Sequence, residues 1–226
     1  MQPWWELPWI VYDLETTGID PELAHVVQTG VVLWQNGRVV KRKDTLVNPG
    51  VPIPEESARI HGITDAMVAD AEPESVVLPR FVKSLAAVPA VLVSYNGFGY
   101  DDQVLDARTN GEFSRAVANK IRVDVLLLIR MKDVGEFWPG RGRHKLSSVA
   151  GRFRLDLSDE DRLHWATSDC VTTAMVLQYL LTSELYGEKL RAQLPPDERV
   201  VEFLQQEKER AQKRFDKWLA KQPPRE

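Results

Sequence analysis

The sequence predicts a single α/β domain in which a mixed β-sheet is flanked by α-helices. Three observations favour this fold class. Three apolar runs separated by turn residues open the chain, later apolar runs alternate with stretches of helical periodicity, and 226 residues with 43% hydrophobic content can bury one sizeable core. We expect the domain to cover residues 1–185 and a charged helical extension, packed on it or projecting from it, to cover residues 186–226.

The N-terminal part predicts three antiparallel strands. Residues 9–12 form a β-branched and aromatic run that ends at Asp13 and leads into a Thr-Thr-Gly turn. A second apolar run covers residues 26–34, and Asn36-Gly37 then gives a strong hairpin signal before the third run at residues 39–46. The first acidic residues therefore follow a buried strand.

The rest of the chain predicts helices around further strands. A proline-rich loop covers residues 48–54 and two helical turns follow it at 55–59 and 65–68. We then expect a helix at 79–88, a buried strand at 90–93, a helix at 101–110, an apolar run at 121–128 and helices at 145–153 and 164–181. The long last helix presents one apolar face, formed by Ala166, Cys170, Ala174, Leu177 and Leu181. From residue 197 the composition becomes highly charged, which predicts an exposed helix.

Charge and composition argue against a strongly basic nucleic-acid-binding protein, a disulfide-linked protein and a membrane protein. A net charge of −4 gives no global attraction to a polyanion, so binding of nucleic acid would need a local basic patch or bound cations. The single cysteine, Cys170, excludes an internal disulfide and reads as a core residue. No apolar run is long enough to cross a bilayer and the N-terminus has no basic leader, so we expect a soluble, cytoplasmic protein with no membrane partner.

Three acidic residues are candidates for a shared metal site. Asp13 and Glu15 are two residues apart, so on an extended backbone their carboxylates project to the same side, where oxygen ligands suit Mg²⁺. Asp101 follows a second buried strand and could face the same edge of the sheet. The alternatives are an acidic turn for the first pair and a helix N-cap for Asp101, a position that Asp102 could also fill.

His164 and Asp169 form the last candidate pair. They are five residues apart, which on a regular helix separates them by about 140°. They can therefore reach one point only if His164 precedes the helix and Asp169 lies in its first turn, where acidic residues are favourable. The alternative is a surface histidine with a capping aspartate.

Taken together, these motifs resemble a known family. The order Asp-x-Glu, then strand-loop-Asp, then His-x4-Asp resembles the DEDD-type 3′→5′ exonuclease superfamily in its histidine-bearing branch, and residues 11–18 match its first motif closely. Tyr95-Asn96 with the segment 100–104, and Trp138-Pro139 before Lys145, are similar to the exonuclease I group. The resemblance covers roughly residues 9–181 and implies a ribonuclease H-like sheet.

The resemblance also implies roles for these residues. Asp13, Glu15, Asp101 and Asp169 would bind two Mg²⁺ ions, for which Mn²⁺ could substitute, and His164 would be the general base. General chemistry agrees, because paired cations stabilise the entering and leaving oxygens of a phosphoryl displacement and an imidazole near neutral pKa suits the proton transfer.

Residues that would contact the substrate follow from the same resemblance. They are Thr16, Glu56, His61, Asn96 and Lys145, and the alternatives for Glu56 and His61 are a solvated acid and a loop-packing histidine. The densest basic cluster, Arg141, Arg143, His144, Lys145, Arg152 and Arg154, could follow a phosphate backbone or be a solvated surface. Phe98, Tyr100 and Trp138 could stack on bases or pack in the core.

The sequence therefore predicts a 3′→5′ exonuclease that acts on single-stranded DNA. Two alternatives stay open: an exoribonuclease, because the same residues serve both sugars, and a non-catalytic nucleic-acid-binding or scaffold module, against which the full set of five catalytic residues argues. The charged C-terminal helix could support a homo-oligomer or a larger nuclease assembly. Trp4 and Trp5 belong to no motif, and we expect them to cover an edge of the sheet.

Overall fold

A five-stranded mixed sheet forms the centre of the protein, in a computed structural model that describes residues 2–131, 134, 138, 142–158 and 165–219, the last six by backbone only. The strand order is β3-β2-β1-β4-β5. β1, β2 and β3 are antiparallel neighbours, whereas β4 and β5 run parallel to β1, so the predicted mixed sheet is confirmed. The strands are β1 Trp9–Thr16, β2 Val26–Gln35, β3 Arg38–Leu46, β4 Val91–Ser94 and β5 Arg122–Asp124.

Helices cover the sheet on both faces. Two 3₁₀ helices lie at Trp4–Glu6 and Gly97–Gly99. The α-helices are α1 Glu55–His61, α2 Asp65–Val68, α3 Glu74–Ala87, α4 Asp101–Thr109, α5 Glu112–Ala116, α6 Val125–Ile129, α7 Leu146–Phe153, α8 Ala166–Thr182, α9 Gly187–Gln193 and α10 Arg199–Leu219. Within the described ranges, none of these helices is long and apolar enough to cross a membrane.

The predicted hairpin joins β2 to β3. Asn36 and Gly37 both have positive φ angles, 52° and 77°, as a two-residue turn of the primed type requires. Asparagine and glycine tolerate this conformation better than other residues, so the turn fixes the register of the two strands.

Side chains of β1 alternate between two separate cores. Trp9 and Val11 join the core under α8, which includes four residues of its predicted inner face, Cys170, Ala174, Leu177 and Leu181; the fifth, Ala166, is buried outside this cluster. Ile10, Tyr12 and Leu14 join the core under α3 and α4 on the opposite face. Asp13 and Glu15 continue the odd-numbered series, so the backbone directs them to the α8 face.

Some predicted elements differ from the structure in their bounds. The helix predicted from residue 79 begins at Glu74, with Pro79 inside it. Proline favours the start of a helix, but burial of Val77 and Leu78 extends this one by an earlier turn. The apolar run at residues 121–128 divides at Asp124, which ends β5 and caps α6 through a hydrogen bond from the backbone N–H of Leu126.

The C-terminal region is packed more closely than its charge suggests. Leu190 of α9, Leu194 directly after it, and Val200 and Leu204 of α10 are buried in the core under α8. The prediction of an exposed helix is therefore wrong for the first turns of α10, because apolar side chains at helical spacing attach them to the domain. The domain boundary predicted at residue 185 stays a prediction.

The N-terminus contacts this same region. Trp4 is fully buried, its backbone N–H donates to the carbonyl of Pro196 over 2.9 Å, and its indole donates to the carbonyl of Pro195 over 3.0 Å. The ring of Trp5 packs edge-on against Trp4 at 5.5 Å. The paired tryptophans thus hold the loop between α9 and α10 against the core.

Candidate active site

Two carboxylates of the candidate site lie inside β1. The sequence predicted that the strand ends at Asp13, but it continues to Thr16 because β2 pairs with it as far as Val26. Asp13 and Glu15 are therefore held by cross-strand hydrogen bonds on the face that α8 covers. The backbone of both residues is therefore positioned by strand pairing and not by a loop.

Asp169 reaches the same place from the first turn of α8. The oxygen atoms of Asp13, Glu15 and Asp169 lie within 4.8 Å of one another, and all three side chains are half-buried. The helix begins at Ala166, so the predicted placement of Asp169 in the first turn is confirmed. His164 lies outside the described residues, as does Arg141 of the basic cluster.

Asp101 approaches from the other side of β1. It is the first residue of α4, it is almost fully buried, and its Oδ1 accepts a hydrogen bond from the backbone N–H of Leu14 over 3.2 Å. That bond anchors it between the two acids of β1. Asp102 has a different environment, since its Oδ1 accepts from the Tyr12 hydroxyl at 2.5 Å and its Oδ2 lies 3.4 Å from the guanidinium of Arg122.

Burial and mutual repulsion make these carboxyl groups hard to ionise together. Burial raises the pKa of Glu15 to about 8, and the charges of Asp169 and Asp101 add to this effect. Burial also raises the pKa of Asp101 to about 8, and the charge of Asp102 is the second largest cause of this increase. The pKa of Asp13 is raised by burial and then by Asp101, Asp169 and Glu15.

This donor set fits divalent cations with a preference for oxygen. One carboxylate oxygen from each of Asp13, Glu15 and Asp169 lies within 4.8 Å of the other two, and in the described part of the chain no lysine or arginine forms an ion pair with Asp13 or Glu15. Buried like charges without a cationic partner destabilise a fold, so bound cations would relieve the repulsion.

Asp124 is a buried acid that the sequence analysis did not identify. Its Oδ1 accepts from the backbone N–H groups of Asn96 and Leu126, each over 3.0 Å, and its Oδ2 accepts from that of Phe98 over 3.2 Å. Burial raises the pKa of Asp124 to about 6, and these hydrogen bonds oppose that shift. Asp124 therefore fixes the loop that leads from β4 to Asp101. The signal in the sequence was an acid inside an otherwise apolar run.

The end of β1 also carries residues predicted to contact substrate. The Thr16 hydroxyl lies 2.5 Å from that of Tyr100, and both reach the carbonyl of Gly18. His61, the last residue of α1, is buried and accepts from the backbone N–H of Ile63 through Nδ1. Burial lowers the pKa of His61, an effect that a backbone oxygen of Thr16 partly opposes. His61 thus lies beside the end of β1.

Glu56 lies at the other end of α1. It is exposed in the first turn of that helix. The neighbouring Ser57 donates its hydroxyl hydrogen to the carbonyl of Thr17, which holds the start of α1 against the turn after β1. The structure therefore brings Thr16 and His61 together and leaves Glu56 on the surface of the same region.

Asn96 and Lys145 line one cavity of about 630 Å³. Asn96 has a positive φ of 70° at the start of the second 3₁₀ helix, and Lys145 precedes α7. Arg130 and Arg143 also line this cavity, and in its wall the Tyr95 hydroxyl donates to the carbonyl of His144 over 2.5 Å. The cavity therefore has a positively charged wall next to the loop that Asp124 holds.

The aromatic candidates pack against protein groups. Phe98 is buried, with the guanidinium of Arg122 at 4.9 Å from its ring. Trp138 is half-buried between Phe153, at 5.7 Å, and the guanidinium of Arg152, at 4.7 Å. Phe98 and Trp138 thus pack against other side chains, as the alternative interpretation predicted. Tyr100 instead forms a hydrogen bond with Thr16 at the end of β1.

Known sequences resemble most of this chain. Residues 10–177 match the RNase T family model, which describes an exonuclease. A DNA polymerase III subunit epsilon-like protein of Rhodobacter capsulatus is 37% identical over 78% of this chain, and a PolC-type DNA polymerase III of Lacticaseibacillus paracasei is 28% identical over 79%. The chain spans 24% and 12% of the length of these two relatives.

Solved structures share the fold. E. coli exonuclease I in complex with a dT13 oligonucleotide superposes with a TM-score of 0.65 at 21% identity, over 77% of this chain and 41% of that one. Exonuclease X in complex with 5′-overhanging duplex DNA superposes with a TM-score of 0.57 at 24% identity, over 80% of this chain and 96% of that one. The predicted ribonuclease H-like fold is confirmed. Since the family model covers most of the sequence, the chain belongs to the RNase T exonuclease family, in its DEDDh, DnaQ-like group.

Proposed function

We propose that this protein is a 3′→5′ exonuclease that hydrolyses single-stranded DNA and releases nucleoside 5′-monophosphates. The observation that carries this proposal is the meeting of Asp13, Glu15 and Asp169 within 4.8 Å, with Asp101 hydrogen-bonded to the backbone N–H of Leu14 between the two acids of β1. Membership of an exonuclease family and the oligonucleotide-bound structures of similar fold support it.

The four carboxylates would hold two Mg²⁺ ions, and Mn²⁺ would substitute. When bound, such ions stabilise the entering and leaving oxygens of the phosphoryl displacement and lower the pKa of the attacking water. The charges of Asp101 and Asp169 both raise the pKa of Asp13, so all three carboxyl groups lie close enough to interact. The sheet and two helix starts position these ligands, so substrate binding needs no rearrangement of their backbone.

The proposed proton acceptor is His164, which precedes Asp169 by five residues. A neutral imidazole accepts the proton of the attacking water, because its ordinary pKa lies close to physiological pH. This role rests on the family resemblance of the segment before α8.

Single-stranded DNA would follow the positively charged cavity. Arg130, Arg143 and Lys145 supply three cations in a protein whose net charge is −4, and the cavity lies next to Asn96. Local cations attract phosphates over short range even when the total charge is negative. Thr16 and His61 lie at the end of β1, in place to meet the terminal nucleotide.

Cleavage of labelled oligonucleotides tests this function. Pure wild-type protein is incubated with 5′-labelled single-stranded DNA, blunt duplex DNA and RNA, each with Mg²⁺, Mn²⁺ or EDTA. We expect a ladder of products that shortens from the 3′ end of single-stranded DNA and that EDTA abolishes. Asp13→Ala should cleave at least about a hundredfold more slowly, because a metal site contributes several kcal/mol to the transition state.

Asp70→Ala is the matched control, because Asp70 is an exposed aspartate distant in sequence from the ligands. It should cleave like the wild type. An inert wild type, or an Asp13→Ala variant as active as the control, would exclude the proposed enzyme. Faster degradation of RNA than of DNA would overturn the substrate and leave the nuclease chemistry in place.

A further inference from the structure

The start of α8 lies on a row of residues that crosses three strands. The register pairs Asp13 of β1 with Gly30 of β2, and Gly30 with Asp44 of β3. The next row on the same face joins Glu15 to Gln28. Gln28 of β2 and Asp44 of β3 therefore lie on the same face of the sheet as Asp13 and Glu15. The first turn of α8 packs on this face.

The first turn of α8 has no cap of its own. The residue before the helix, Trp165, makes no side-chain hydrogen bond to it. The first N–H groups of a helix have no partner inside the helix, so they need acceptors from elsewhere. Because this end of α8 is buried, solvent does not supply them.

Gln28 and Asp44 supply these acceptors from the sheet. Oε1 of Gln28 accepts from the backbone N–H of Ala166 over 3.0 Å. Oδ1 of Asp44 accepts from the backbone N–H of Thr167 over 3.0 Å, and its Oδ2 accepts from the Thr167 hydroxyl over 2.6 Å. Two strands therefore bind two consecutive residues of the helix, and Asp169 follows them by two residues.

Gly30 brings the helix close enough for these bonds. A Cβ atom at Gly30 would lie 2.4 Å from the carbonyl carbon of Ala166 and 2.6 Å from the nitrogen of Thr167. Any side chain at this position would displace the start of α8 from the sheet. The close approach and the hydrogen bonds thus define one position for the first turn.

Only the amide oxygen of Gln28 has a hydrogen-bond partner. The residue is fully buried, and its Nε2 donor has no partner among the described residues. The unpaired nitrogen destabilises the fold, whereas the oxygen satisfies the buried N–H of Ala166. The side chain is accounted for by its oxygen, which accepts from Ala166 without adding a negative charge beside Glu15.

We propose that Gln28 and Asp44 are positioning residues that set α8 on the sheet so that Asp169 reaches Asp13 and Glu15. They touch neither metal nor substrate and act through the backbone of Ala166 and Thr167. The inference rests on the proposed metal site. It extends the set of residues that shape the site to Gln28 on β2 and Asp44 on the edge strand β3.

Calorimetric titration of the full chain with Mn²⁺ tests this inference. Gln28→Met and Asp44→Ala remove the acceptors, whereas Asp44→Asn removes the charge and keeps an oxygen for Thr167. Thr29→Val and Thr45→Val are matched controls, because these residues follow Gln28 and Asp44 on the same strands and line a cavity on the opposite face. Thermal unfolding and single-turnover cleavage of single-stranded DNA are measured on the same samples.

We expect Gln28→Met and Asp44→Ala to bind Mn²⁺ about tenfold more weakly or worse, the usual effect of removing a group that orients a metal ligand. Asp44→Asn should stay within about threefold of the wild type, since it keeps the orienting oxygen. The cleavage rate of bound substrate should fall with Mn²⁺ affinity, while the KM for DNA changes little. The threonine variants should bind Mn²⁺ like the wild type, even where they lower the melting temperature.

Unchanged Mn²⁺ affinity in both Gln28→Met and Asp44→Ala would overturn the inference and leave the proposed function intact. An Asp44→Asn variant as impaired as Asp44→Ala would also overturn it, because charge and not position would then be the cause. A wild-type chain that neither binds Mn²⁺ nor cleaves DNA would overturn the proposed function together with this inference.

Discussion

Four acidic side chains around β1 oppose one another's ionisation. Asp13, Glu15, Asp101 and Asp169 come from three distant parts of the sequence. Asp101 and Asp169 raise the pKa of both Asp13 and Glu15, and Glu15 also raises that of Asp13. A fold that places like charges together loses stability unless a cation or a proton neutralises them. The stability of the metal-free protein should therefore depend on pH through these carboxyl groups.

Glu15 gives the clearest case at this scale. Its pKa rises from 4.5 in a free side chain to about 8 in the fold, so between these values the folded chain binds more protons than the unfolded chain. Stability of the metal-free protein therefore falls as pH rises from about 4.5 to about 8. Removing the carboxyl group should remove this loss.

In EDTA at pH 8.5, Glu15→Gln should melt above the wild type by about 2–4 °C or more, the shift that roughly 1 kcal/mol produces in a chain of this length. Near pH 4 the two proteins should melt together, because Glu15 is then protonated in both states. Calorimetric melting across this range measures the effect, with the exposed Glu188→Gln as control. A variant that melts lower than the wild type at pH 8.5 would contradict the repulsion.

At the scale of elements, short connections place the ligands. The loop between β4 and α4 contains no regular secondary structure except one 3₁₀ turn, yet it determines where Asp101 lies relative to β1. Asp124 holds it by accepting hydrogen bonds from the backbone N–H groups of Asn96 and Phe98, and Lys208 of α10 donates to the carbonyl of Phe98 over 2.7 Å. The loop is thus bound by residues from two other elements.

Asp124→Ala should lower the free energy of unfolding by about 2–4 kcal/mol, because three buried N–H groups lose their acceptor. Nuclease activity should fall by more than this loss of folded protein explains, because the loop then places Asp101 less well. Asp124→Asn keeps the oxygen for Asn96 and Leu126 and should lose less on both counts. Urea unfolding and cleavage rates under fully folded conditions measure the two effects. Equal losses in the two variants would contradict this account.

At the scale of the molecule, the C-terminal helices form part of the structure that holds the site. Leu194 and Leu204 lie in the same core as the face of β1 under α8, and Trp4 bonds to the loop between α9 and α10. Residues matched by the exonuclease family end at 177, before both helices. We therefore expect α9 and the start of α10 to unfold together with the sheet.

Leu204→Ala tests this expectation. Removing a buried leucine should lower the free energy of unfolding by about 2–5 kcal/mol, through lost burial and the cavity that remains. Exposed Gln205→Ala should change it little. Urea unfolding should show one transition, followed equally by tryptophan fluorescence and by circular dichroism. Two separate transitions, with only the first one shifted, would instead support an independent extension from residue 186.

The sequence alone determined the strands, the hairpin, the long helix and the candidate ligands. These features depend on local signals: alternating apolar residues, Asn36-Gly37 and an Asp-x-Glu motif after a buried run. The sequence-based predictions were wrong at element boundaries, as at Pro79, and for the burial of the first turns of α10, because tertiary burial outweighed a local preference.

Only the tertiary structure decided which acids meet and what holds them there. Asp101 and Asp102 are adjacent and alike in sequence, yet one anchors to Leu14 beside β1 and the other pairs with Tyr12 and Arg122. Likewise no local pattern in the sequence marks Gln28 or Asp44. Their roles depend on strand register and helix docking, in which residues far apart in sequence come into contact, and no local spacing encodes such contacts.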